Sequence, residues 1–244
     1  MTRDYWQASR APRYSLLFAL PLLLFYQVLA SAVPAGPQGG VRNGADVLLQ
    51  AVFIWLAGSW GPRLFMVCLI AAGLWLVGKD LRRNPGRLRV AVFTTMLAES
   101  IGLALVFGIV VGGLTAALLG QPPPLSIATG ARPQLGGGTV LMLSLGAGIY
   151  EELLFRVVLV SLFAWVARRV LGWRPLLAGT SATIAGALVF SAFHYIGPYG
   201  DPWELYSFVF RAIAGLFFSA LYLTRGFGIT AWTHALYDVF LLIR

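Results

Sequence analysis

Apolar and polar positions divide the chain into long apolar runs separated by short basic or Pro/Gly-rich connectors. A bilayer core takes about 20 apolar residues per helix. Runs of that kind lie near 14–33, 63–78, 90–119, 138–167, 175–196, 205–223 and 229–243. The segment 45–60 is shorter and carries Asp46, Gln50 and Trp60; it reads as an interfacial or re-entrant helix. The third and fourth runs exceed what the bilayer needs, and tilt or protrusion into water accommodates them. The connector GQPPPLSIATGARPQLGG over 120–137 cannot be helical. Gly102, Gly108, Gly112 and Gly113 suit close helix packing in lipid. The predicted fold is all-α, a polytopic transmembrane bundle of about seven spans plus an interfacial helix. Residues 1–136 supply N-terminal helices and a connector, and residues 137–244 a helical core.

Composition strengthens this picture. The chain is 59% hydrophobic and only 11% charged, with a mean hydropathy of +0.79, whereas a soluble domain is typically about a quarter charged. Too little charge is present to cover a water-facing surface. The net charge of +9 raises nucleic acid as a partner, but the arginines form no aromatic-interleaved patch. They sit in short runs between apolar segments, as topology-determining charges do. The 79–89 loop holds Lys79, Arg82, Arg83, Arg87 and Arg89; Arg168, Arg169 and Arg174 cluster next; Arg225 follows the sixth run. With seven spans and 45–60 not crossing, these loops all fall on one side. The N-terminus is then cytoplasmic and the C-terminus exoplasmic. The expected location is a bacterial inner membrane, multi-pass. The basic start (Arg3, Arg10, Arg13) and Ala30-Ser31-Ala32 mimic a signal peptide, but 14–33 is longer than a signal core of about 7–15 residues and reads as a retained helix. Cys68 is the sole cysteine, so no intramolecular disulfide forms.

An ionisable side chain in a membrane helix is costly and marks function by default. The chain has nine acidic residues and two histidines, and five of these groups fall in the fourth, fifth and seventh runs: Glu151, Glu152, His194, His234 and Asp238. In Tyr150-Glu151-Glu152-Leu153-Leu154-Phe155-Arg156, the four-residue spacing stacks Glu152 over Arg156 on one helix face. That pair neutralises itself. Glu151, one position round, has no partner on its own helix and is suited to general acid/base work; the alternative is a structural Glu–Arg pair with a spectator Glu151. Four residues separate Phe190 from His194, and His234 from Asp238. A lone buried histidine is more often a core residue than a catalyst, but here both histidines of the chain fall into such pairings. Glu99 and Arg211, also in apolar runs, are expected to pair structurally across the third and sixth runs.

These three segments resemble, in order, the E-E-x-x-x-R, F-x-x-x-H and H-x-x-x-N motifs of the CPBP family of intramembrane proteases, which includes the prenyl-protein CAAX endopeptidases and bacteriocin-processing, ABI-type proteins. The residues are Glu151, Glu152 and Arg156; Phe190 and His194; His234 and Asp238. The resemblance covers about the last 110 residues. It implies an intramembrane endopeptidase in which Glu151 and His194 activate a water, His234 and residue 238 stabilise the oxyanion, and Glu152, Arg156 and Phe190 support the site. It departs at Asp238: asparagine can donate a hydrogen bond, whereas aspartate donates only when protonated and otherwise orients His234. The implied substrate is a membrane-tethered protein or peptide precursor cut near its C-terminus, by CAAX-like processing, removal of a sorting tail or peptide maturation. Straight spans would set His194, His234 and Glu151 at different depths, a conflict that a short or broken last helix would relieve. No cofactor or metal is expected, since the H-E-x-x-H spacing is missing, although two histidines and two glutamates leave a zinc-dependent variant open. A transporter or proton relay and a non-catalytic immunity-type binder are the alternatives.

Overall fold

The computed structural model describes residues 2–32, 41–122, 136–197 and 200–242. Most of the 120–137 connector, residues 33–40 of the first loop and two residues of the 197–204 loop lie outside these. The helices are α1 (Thr2–Arg10), α2 (Pro12–Ala32), α3 (Gly44–Ala57), α4 (Gly61–Arg83), α5 (Val90–Leu119), α6, α7 (Pro175–Phe193), α8 (Leu205–Arg225) and α9 (Phe227–Leu242). Helix α6 is a continuous rod of Gly137–Gly146, π-helical turns Ala147–Glu151 and Leu153–Val160, and Ser161–Arg169. Among the described residues there is no strand, so the all-helical expectation stands.

Among the described residues, five helical segments are long and apolar enough to cross a membrane: Pro12–Ala32, Gly44–Arg83, Val90–Leu119, Pro175–Phe193 and Leu205–Arg225. The count of seven is therefore not reproduced. Helix α6 carries Glu151, Glu152 and Arg156 in its middle, and α9 has only 16 residues, about 24 Å of helix against a hydrocarbon core of about 30 Å. Helix α3, 14 residues long, is likewise too short to span. It is capped by Asn43, whose side chain accepts from the backbone of Ala45 and Asp46. At Gly58, whose φ of 55° suits glycine, the chain turns and α3 packs back along α4 with Phe53 against Phe65.

The outer faces are apolar. Trp55, Leu176, Val90 and Ile109 are among the most exposed side chains, as expected where lipid is the solvent. Inside, Leu22, Tyr26, Met142 and Tyr150 form one core and Phe18, Met96, Phe107, Phe218 and Ile229 another. Two ion pairs, one buried and one partly buried, tie the helix ends. Arg13 at the start of α2 holds Asp80 at 2.6 Å, and Arg225 at the end of α8 holds Glu99 at 2.5 Å. The expected Glu99–Arg211 pair is thus corrected: Arg211 lies at the opposite end of α8 from Glu99's partner and pairs with Asp201 in the preceding loop. Helix α1 closes over the Glu99–Arg225 pair. Tyr5 donates to Glu99, and the Arg225 guanidinium lies over the Tyr5 and Trp6 rings. Burial, with the Glu99 carboxylate alongside, pushes the Tyr5 hydroxyl well above its usual range.

Candidate active site

The site forms where the middle of α6, the end of α7 and the second turn of α9 meet beside the start of α3. Close approach makes this possible. A side chain at Gly148 would run into the Ala231 carbonyl and Ala235 of α9, and one at Gly146 would run into Tyr26 and Asn43. Small residues at these contacts let helix backbones touch. The π-helical turns add a residue per turn and so narrow the angle between neighbouring side chains. Glu151 and Glu152, consecutive in sequence, therefore both face inward, and both are buried.

Glu151 Oε2 stands 3.9 Å from His194 Nε2 and 4.0 Å from His234 Nε2. The three groups meet, so the depth conflict expected of straight spans is absent. His194 caps α7, and its Nδ1 lies 2.9 Å from the Phe190 carbonyl four residues earlier. A carbonyl only accepts, so Nδ1 carries the proton and Nε2 is the atom turned to Glu151. Phe190 packs edge-on against His194 at 4.9 Å, the support its spacing suggested. His194 is the most accessible of the three groups, with 24% of its side chain exposed.

Glu152 serves the other histidine. Its Oε1 lies 2.7 Å from His234 Nδ1, and its Oε2 lies 3.1 Å from Arg156 Nε in the expected i,i+4 ion pair. Glu152 is fully buried and Arg156 nearly so. The Arg156 guanidinium sits over the Phe190 ring at 4.4 Å and the Phe218 ring at 5.5 Å, and it donates to the Gly215 carbonyl. Phe218 stacks on the His234 ring at 4.4 Å. The His234 ring is therefore fixed by Glu152 at one edge and by Phe218 across its face, with Nε2 left toward Glu151. Asp238, one turn further along α9, is partly exposed, and its charge acts on the His234 ring.

One member of the site went unread in the sequence. Asn43 Nδ2 donates to Glu151 Oε1 at 2.9 Å, while its Oδ1 caps α3. An asparagine before a short amphipathic run signals a helix start, but no local pattern could announce a partner 108 residues away. Gly215 and Phe218 of α8 were missed for the same reason. Around Asn43 lies a polar shell. Tyr26 donates to Asp46 at 2.8 Å, Gln50 donates to Asp46 at 2.6 Å, and Gln27 donates to the Tyr150 hydroxyl at 2.6 Å. Among the described residues, no group of three or more His, Cys, Asp or Glu is gathered so as to hold a metal ion.

Chemically, the arrangement offers one carboxylate facing two imidazole nitrogens, with Phe190 and Phe218 packed on the imidazole rings and the buried Glu152–Arg156 ion pair beside it. Residues 134–240 match the family model of Rce1-like proteins, the type II CAAX prenyl endopeptidases. That segment contains all three motifs read from the sequence. No curated protein and no solved structure matches the chain.

Proposed function

We propose that this integral membrane protein, whose residues 134–240 match the family model of Rce1-like type II CAAX prenyl endopeptidases, is a glutamate-dependent intramembrane endopeptidase. The observation that carries the reading is the pair of gaps at Glu151: 3.9 Å to His194 Nε2 and 4.0 Å to His234 Nε2. Each is too long for a direct hydrogen bond, and each is short enough for one water to bond to both ends at about 2.8 Å.

In this mechanism a water donates one hydrogen bond to Glu151 Oε2 and one to His194 Nε2, leaving a lone pair for the scissile carbonyl. Glu151 takes the proton as the water attacks and returns it to the leaving amine. His234, its ring held by Glu152 and Phe218, supports the developing oxyanion through Nε2. Stabilisation of that charge is usually the largest catalytic contribution. Asp238 assists if protonated, or otherwise steadies His234. Asn43 holds Glu151 by one oxygen so that the other faces both histidines. Burial keeps bulk water away, which strengthens every electrostatic contact in the site.

The substrate proposed is a membrane-tethered protein or peptide precursor cut near its C-terminus. A prenylated CAAX peptide is the first to test, with sorting-tail removal and peptide maturation as the other forms of the same chemistry. Purified protein in detergent would be given peptides with and without the prenyl group, and the products identified by mass spectrometry. Release of a C-terminal tripeptide from the prenylated peptide supports CAAX processing. Cleavage elsewhere, or only of unprenylated tails, assigns the chain to another precursor. A transporter or a binding protein would leave every peptide intact.

A further inference from the structure

Beside the catalytic glutamate, a cleft of about 340 Å³ opens between α2 and the starts of α3 and α4, lined by Gln27, Arg42, Gln50, Pro62, Arg63 and Met66. Two hydrogen bonds tie its wall to the site. Arg42 precedes Asn43, which donates to Glu151. Gln27 accepts from Arg42 and donates to the Tyr150 hydroxyl, one residue before Glu151.

The cleft carries excess positive charge. Arg42 lies 2.9 Å from Asp46, whose carboxylate also accepts from Tyr26 and Gln50. Arg63 has only the face of Trp60, at 4.9 Å, and makes no ion pair among the described residues. Apart from this cleft, α3 and the first turns of α4 present apolar side chains such as Leu48, Val52, Trp55 and Leu64. A cation in such surroundings draws an anion, and a guanidinium fits a carboxylate in a two-point grip.

We infer that this cleft receives the free C-terminal carboxylate of the substrate, with Arg42 and Arg63 as its binding cations and Pro62 and Met66 as the apolar wall for the side chains before it. The inference rests on the protease reading. A CAAX-type chain ends three residues past its modified cysteine, and three extended residues reach about 10 Å. Arg42 is next in sequence to Asn43, whose side chain donates to Glu151 at 2.9 Å, so the wall of the cleft borders the site. The arginines then act as a ruler, holding the chain end so that the bond three residues inward lies at Glu151.

The test uses binding, so that it does not depend on turnover. Full-length Glu151→Gln protein in phosphatidylcholine nanodiscs is titrated with a fluorescent farnesyl-cysteine tetrapeptide ending in a free carboxylate, and with the same peptide as its C-terminal amide. The acid is expected to bind about tenfold more tightly than the amide, the worth of one charge-assisted contact. Arg63→Gln, at an exposed position where folding is not at stake, brings the ratio close to one; Arg42→Gln does the same. Equal binding of acid and amide, or no binding of either, overturns the assignment. So does an advantage that disappears when phosphatidylglycerol is added to the nanodiscs, since the cleft would then belong to a lipid headgroup. The protease reading has its own failure, an absence of cleavage by the wild-type protein, which these titrations do not touch.

Discussion

Asn43 donates to Glu151 across 2.9 Å, joining the first half of the chain to a site whose other members all lie in the last 110 residues. The contact fixes one carboxylate oxygen and leaves the second facing His194 and His234. Groups that orient a catalytic ligand in this way are typically worth about 10–100-fold. Asn43→Ala is expected to lower kcat by that factor with KM within about twofold. Steady-state kinetics on a cleaved peptide decide it. An unchanged kcat would show that Glu151 keeps its orientation without help.

The Glu152–Arg156 pair is buried on all sides. Removing one partner of such a pair costs about 3–5 kcal/mol, whereas replacing both by apolar residues is often neutral. Glu152→Leu alone is expected to destabilise the protein by that amount in thermal unfolding in detergent. Glu152→Leu with Arg156→Leu should recover most of the stability but not activity, because His234 Nδ1 loses its partner at 2.7 Å. Activity in the double variant would show that His234 needs no such anchor.

Gly148 lies where α6 touches the backbone of α9, while Gly112 faces open space. Gly148→Val is expected to cost at least about 1–3 kcal/mol by overpacking and to abolish cleavage by parting Glu151 from His234. Gly112→Ala is expected to leave both intact. Melting temperature and peptide turnover, measured side by side, test the contrast; equal tolerance at the two positions would contradict the packing.

The lid formed by α1 depends on Glu99, which binds Tyr5 and Arg225 together. Glu99→Ala should free α1 and speed trypsin cleavage after Arg10. Unchanged proteolysis would mean that Trp6 on Arg225 suffices to hold the helix.

Much of this architecture was legible in the sequence because the bilayer imposes long apolar runs and makes each charge within them conspicuous. Glu151, Glu152, Arg156, His194 and His234 were found that way, and the i,i+4 rule gave the Glu152–Arg156 and Phe190–His194 contacts. Cross-helix partners were not legible. Nothing local distinguishes Arg211 from Arg225 as the partner of Glu99, and Asn43 reads only as a helix cap. The span count was less legible, because α9 satisfies a hydropathy reading yet has only 16 residues, and the π-helical turns of α6 leave no trace in composition.

Glu151 is the group we propose to activate water. The most direct measurement is cleavage of a prenylated CAAX peptide by wild-type protein and by Glu151→Ala, each with and without a metal chelator. Loss of a proton-transfer group costs about 10²–10⁴-fold. The variant is expected to lose at least that much, while wild-type cleavage persists in chelator. Undiminished cleavage by Glu151→Ala would contradict that role, and loss of wild-type cleavage in chelator would move the chemistry to a bound metal.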